Sequence, residues 1–132
     1  MTVIAADLRL KGVEIEKVRN QLLRWLPEMG LNVVEDEADK TSFSIFAIEK
    51  RVPLWQTSLF SLMMPSLARD RVGLRIRAFG EESFTSIKIE AKLYIPELDM
   101  ENPKGSDRGV LRAAGIVNFL VKELEALIHD NK

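Results

Sequence analysis

The sequence has no cysteine, one histidine (His129), glycines that occur only singly, and no charge imbalance, with 19 Lys plus Arg against 20 Asp plus Glu in 132 residues. Without cysteine there are no disulfides, zinc–thiolate sites, iron–sulfur clusters or thiol nucleophiles, and the chain fits a reducing compartment. A lone histidine three residues from the C-terminus leaves the serines without a base. Isolated glycines form neither a phosphate-cradling loop nor a dinucleotide fingerprint. A net charge of −1 and a pI near 5.9 lack the basic total of a dedicated nucleic-acid binder. These absences predict a protein that is not an enzyme and uses no cofactor.

The carboxylates that are present fall in two clusters, Glu35/Asp36/Glu37/Asp39 and Glu97/Asp99/Glu101. Neither has the spacing of a calcium loop, and both read as solvated turns, with no metal expected. At 46% hydrophobic and 30% charged, the chain has enough apolar surface to form a core. One domain over residues 1–132 is expected, with roughly two thirds of the extended surface buried at this size. Residues 1–12 lack a basic start and carry Asp7, Arg9 and Lys11 within what would be the apolar stretch, so no signal peptide and a cytoplasmic location are expected.

Instead, Ile4, Ala6, Leu8 and Leu10 alternate with Ala5, Asp7, Arg9 and Lys11, the period of a half-buried strand ended by Gly12. From residue 13 to 30 the period changes: Ile15, Val18, Leu22, Trp25, Leu26 and Met29 recur at spacings of three and four, which predicts an amphipathic helix with Trp25 as a core anchor. Pro27 should break or kink its last turn before Gly30. Strands follow over Leu31–Glu35 and Ser42–Lys50, with the acidic run 35–40 as the turn between them. Val72–Phe79 and Phe84–Ile95 form a hairpin across Gly80–Ser83. After a polar loop, a helix over about 107–129 carries Val110, Ala114, Val117, Val121, Leu124 and Ile128 as its apolar line, and Gly115 within it predicts a close approach to a strand.

This order predicts an α+β fold: an antiparallel sheet of about five strands with an N-terminal helix and a long C-terminal helix on one face. The layout resembles the TATA-binding-protein half-repeat and the helix-grip lipid-binding proteins. The resemblance is one of element order, with no motif of either family, and it transfers no functional residue.

Two features point to binding. Residues 52–68 (VPLWQTSLFSLMMPSLA) contain no charge, between Lys50/Arg51 and Arg69/Arg71. Two prolines and several hydroxyls exclude a transmembrane span. Trp55, Leu59, Phe60, Met63, Met64 and Leu67 are the candidate contact residues, either for self-association into a homo-oligomer or with a protein partner through adaptable thioethers, or for enclosing an apolar small ligand. The same aromatic-rich run with basic flanks is a weaker candidate for a membrane surface. The second feature is the sheet side turned away from the helices. There Arg9, Lys11, Arg75, Arg77, Lys88 and Lys92 stand against Asp7 and Glu90, with Phe79 and Tyr94 interleaved, a set suited to phosphates and bases. The reading expected from sequence is therefore a binding or assembly module using 52–68, with nucleic-acid binding through the basic face, and anion binding by Arg75, Arg77, Lys88 and Lys92, as the alternative.

Overall fold

Alternation in four stretches and a period near 3.6 in two others resolve, in a computed structural model that describes residues 3–49, 71–95, 100–101 and 107–130, into six strands and two helices. The order is β1 (Val3–Lys11), α1 (Ile15–Glu28), β2 (Leu31–Ala38), β3 (Ser42–Glu49), β4 (Arg71–Gly80), β5 (Phe84–Ile95), β6 (Met100–Glu101) and α2 (Asp107–Asp130). The strands make one antiparallel sheet in the order β1-β5-β4-β3-β2, and the short β6 pairs with the end of β5. This is the α+β layout expected from sequence, with two helices against one sheet. No helix among the described residues is long and apolar enough to cross a membrane.

The helices divide the sheet between them: α1 packs on β2, β3 and β4, while α2 packs on β1, β5 and β4. Between the layers, Ile45, Ile76 and Ile89 stand directly opposite one another on β3, β4 and β5 and are fully buried. Val18, Leu22 and Leu26 of α1 and Leu120 and Leu124 of α2 close over them. Each such side chain contributes about 1.5–3 kcal/mol by leaving water.

Pro27 does not break α1. The helix ends one residue later, so the missing donor costs little there, and the Met29 N–H donates to the Trp25 carbonyl at 3.0 Å. Gly30, at φ +83°, then turns the chain into β2.

The acidic run is strand rather than turn. β2 continues to Ala38 because pairing with β3 satisfies its backbone, while an edge position leaves its carboxylates in water. The register shifts between Val33 and Glu35, and this bulge turns Asp36 to the helix side, where Arg19 forks onto it (Nε–Oδ1 3.2 Å, Nη2–Oδ2 2.7 Å) and ties α1 to the edge.

The buried line of α2 is also rotated from the expected one. Ala113, Val117, Leu120, Leu124 and Leu127 face the sheet, Val110, Ala114 and Val121 border it, and Leu111 is 72% exposed. Gly115 consequently faces outward, and a Cβ there would meet nothing within 4 Å, so it marks no close approach. Gly115→Ala is expected to raise stability by about 0.5–1 kcal/mol, because alanine loses less backbone entropy in a helix; urea denaturation midpoints will check this.

Two polar contacts hold the layers in register. Thr85, buried at the start of β5, donates its hydroxyl to the Val13 carbonyl at 2.7 Å. At the other end, Glu49 takes over where the β3–β4 ladder stops at Ile48↔Gly73: its Oε1 accepts the Val72 N–H at 2.7 Å, and its carboxylate also receives Arg112 of α2 at 3.2 and 3.3 Å.

Candidate functional site

With both helices on one side, the opposite sheet face is built from every second residue of five strands. The register aligns these residues into rows across the sheet. One row runs Glu37, Ser44, Arg77, Lys88, Asp7, and the next runs Glu35, Phe46, Arg75, Glu90, Ala5. Arg75, Arg77, Lys88, Lys92, Arg9 and Lys11 all fall on this face, as their alternation predicts.

The cations there are not equivalent. Arg75 is held: its guanidinium lies 4.9 Å from the centroid of the Phe46 ring, 3.3 Å from Glu35 Oε2 and 3.4 Å from Ser44 Oγ. Lys88 lies 3.5 Å from Glu90; the ammonium is exposed and the carboxylate half-buried, so the pair contributes little. Arg9 sits over the Phe84 ring at 5.1 Å. Arg77 is exposed, with no hydrogen-bond or ion-pair partner among the described residues, and its direct cross-strand neighbour is the like-charged Lys88. Like charges directly opposite destabilise a sheet by a few tenths of a kcal/mol or more, on the order of 0.2–1 kcal/mol. Beside this pair on β4 stands Phe79, 57% exposed between Ser42 and Ser86.

Toward the other end of the face, Tyr94 and Phe46 pack edge to face with centroids 5.9 Å apart and planes at 81°. The Tyr94 ring lies across Gly73, which is buried near the start of β4; any side chain there would occupy the space of that ring. Around them is a hollow of roughly 100 Å³ lined by Arg75, Arg77, Glu90 and Lys92. Periodicity placed Tyr94 on this face as an interleaved aromatic; it does not show that Phe46 already engages it. Phe46 and Gly73 were missed as parts of the site. An isolated glycine inside an alternating strand is the sign by which Gly73 could have been found.

A second, open depression lies at the end of the sheet, bordered by the β1–α1 connection and the β2–β3 and β4–β5 turns, with Glu14, Glu16, Glu81 and Glu82 around it and Lys40 opposing them. It is acidic where the sheet face is basic. Among the described residues no group of three or more histidine or carboxylate side chains is placed to hold a metal ion. Trp55, Leu59, Phe60, Met63, Met64 and Leu67, with the whole uncharged run 52–68, lie outside the described residues, as do Glu97 and Asp99.

No protein-family model matches the chain, and no curated protein is similar to it. Among solved structures it is similar to the crystal structure of a DUF4468 family protein from Bacteroides ovatus, at 13% identity over 96% of this chain and 84% of that one, with a TM-score of 0.42. At that level the likeness bears on neither activity nor partner.

Proposed function

We propose that the chain is a non-enzymatic binding module that holds a nucleic-acid strand on its open sheet face. The observation that supports this reading is the Arg77–Lys88 apposition with exposed Phe79 beside it: two cations whose mutual repulsion a bound phosphate would relieve, next to a ring on which a base can stack. The near-neutral total does not oppose the reading, because carboxylates gather around the loop-end depression, while on the sheet face the cations Arg9, Lys11, Arg75, Arg77, Lys88 and Lys92 outnumber Asp7, Glu35, Glu37 and Glu90.

Fluorescence anisotropy with a labelled single-stranded oligonucleotide tests it. Three phosphate contacts, by Arg77, Lys88 and Arg9, would make log K fall with log salt at a slope of about −2 for a single strand. Arg77→Glu is expected to weaken binding by about tenfold or more and to flatten that slope by about one. Arg24→Glu makes the same charge change on the solvent side of α1, in the opposite layer, where Arg24 is 73% exposed, and should leave binding unchanged. The reading fails if the wild type shows no salt-sensitive binding at low ionic strength, or if Arg24→Glu is as damaging as Arg77→Glu.

A further inference from the structure

The two edges of the sheet are built differently. β2 carries a bulge between Val33 and Glu35 and three consecutive acids, Glu35, Asp36 and Glu37, all devices that keep an edge from pairing with another chain. β1 has neither a bulge nor a run of like charges: its Asp7, Arg9 and Lys11 alternate with core-facing residues and include both signs. It has no proline, glycine or bulge over nine residues, and its register with β5 runs unbroken from Val3↔Lys92 to Lys11↔Phe84. Its core-facing side chains Ile4, Ala6 and Leu8 remain only partly buried, so apolar surface is left over along that edge. No described strand pairs with its outer side.

We infer that β1 is a self-pairing edge, through which two copies of the chain join antiparallel into one continuous sheet with Leu8 on the two-fold axis. The charges on β1 select this register. In a two-fold antiparallel pair, core-facing residues must meet core-facing residues, since a slip of one residue would turn every side chain to the other face. Centring the pair on Asp7 sets that carboxylate against its own copy, and centring it on Arg9 does the same for the guanidinium. Centring on Ala6 leaves both charges opposite apolar residues. Centring on Leu8 places Asp7 opposite the partner's Arg9 and Arg9 opposite the partner's Asp7, with Ala6 opposite Leu10 on the core face and no like charges in contact. Arg9, already ordered over Phe84, and Asp7, on the same exposed face, are positioned for these reciprocal pairs. Strand addition of this kind draws its affinity from the main-chain hydrogen bonds that an open edge offers.

The inference does not depend on nucleic-acid binding and is tested without it, by sedimentation equilibrium on the full chain. The wild type is expected to be a dimer. Asp7→Arg and Arg9→Asp each convert two attractive cross-strand pairs into two repulsive ones and should each weaken the dimer by about tenfold or more. Mixing the two weakened variants should restore association as a heterodimer, because both cross-strand pairs then again set a guanidinium against a carboxylate. The double variant Asp7→Arg/Arg9→Asp should regain the homodimer for the same reason. A merely local role of either side chain would not produce that rescue. A monomeric wild type at the highest soluble concentration overturns the inference. So do single variants that dimerise like wild type, and a mixture of folded single variants, checked by circular dichroism, that fails to associate.

Discussion

Gly73→Val is expected to destabilise the protein by about 2–3 kcal/mol, the range for forcing extra carbons into a packed site, and to lower the melting temperature by roughly 10 °C for a chain of this size. The sign is what makes the experiment informative. In a central strand with open space, valine in place of glycine would stabilise, since glycine loses more backbone entropy and packs nothing. Here a Cβ would fall 2.6 Å from Tyr94 Cδ2 and 3.2 Å from Phe46 Cζ, so the substitution must expel the ring that covers the strand. Tyr94 is the only tyrosine in the sequence, and a tyrosine-labelled NMR sample therefore reports its displacement as a single shifted signal. A variant that melts higher than wild type, with the tyrosine signal unmoved, contradicts the account of why β4 holds a glycine at this point.

Glu49→Ala should cost about 2–3 kcal/mol, chiefly because the N–H of fully buried Val72 loses its acceptor. The pair with Arg112 adds less, about 0.2–1 kcal/mol, since that guanidinium is 40% exposed. Glu49→Gln keeps an oxygen for the N–H while removing the charge, and is expected to cost less than about 1 kcal/mol. Urea denaturation of the two variants separates the contributions. If glutamine is as damaging as alanine, the charge pair with Arg112, rather than the side-chain oxygen that accepts the Val72 N–H, dominates what Glu49 contributes at this end.

The assignment of sides in β4 and β5 was readable from alternation alone, because a strict period of two leaves one solution: with Leu74, Ile76 and Ala78 inward, Arg75 and Arg77 face out. The same logic failed on β2, where a bulge reverses the parity in mid-strand and carries Asp36 to Arg19, 17 residues away. No periodicity reveals an inserted residue. In α2 the apolar residues are numerous enough to define two overlapping lines, one through Ala114 and Val121 and one through Ala113, Leu120 and Leu127; only the sheet beneath decides between them. The Glu49 contacts span 23 and 63 residues and leave no local pattern, whereas the Gly73–Tyr94 contact across neighbouring strands is marked in the sequence by the isolated glycine alone, with nothing to name its partner. For the site, the residue types on the basic face were legible, but which cation is occupied and which is not depended on the side-chain contacts of Phe46, Glu35 and Ser44.

The placement of β1 beside β5 also orders events in time. Their end pairs, Lys11↔Phe84 and Val3↔Lys92, join residues 73 and 89 positions apart, whereas β4 and β5 meet across the short turn after Gly80. Closing the longer loop costs about 2.5 kcal/mol more chain entropy than closing the hairpin, so β1 is expected to dock after the neighbouring strand exists and α2 has a surface to settle on. On the ribosome β1 emerges before β5, the strand it pairs with among the described residues, and it waits there as an unpaired, bulge-free segment. The window before docking is therefore when the chain is most open to pairing with another nascent copy of itself.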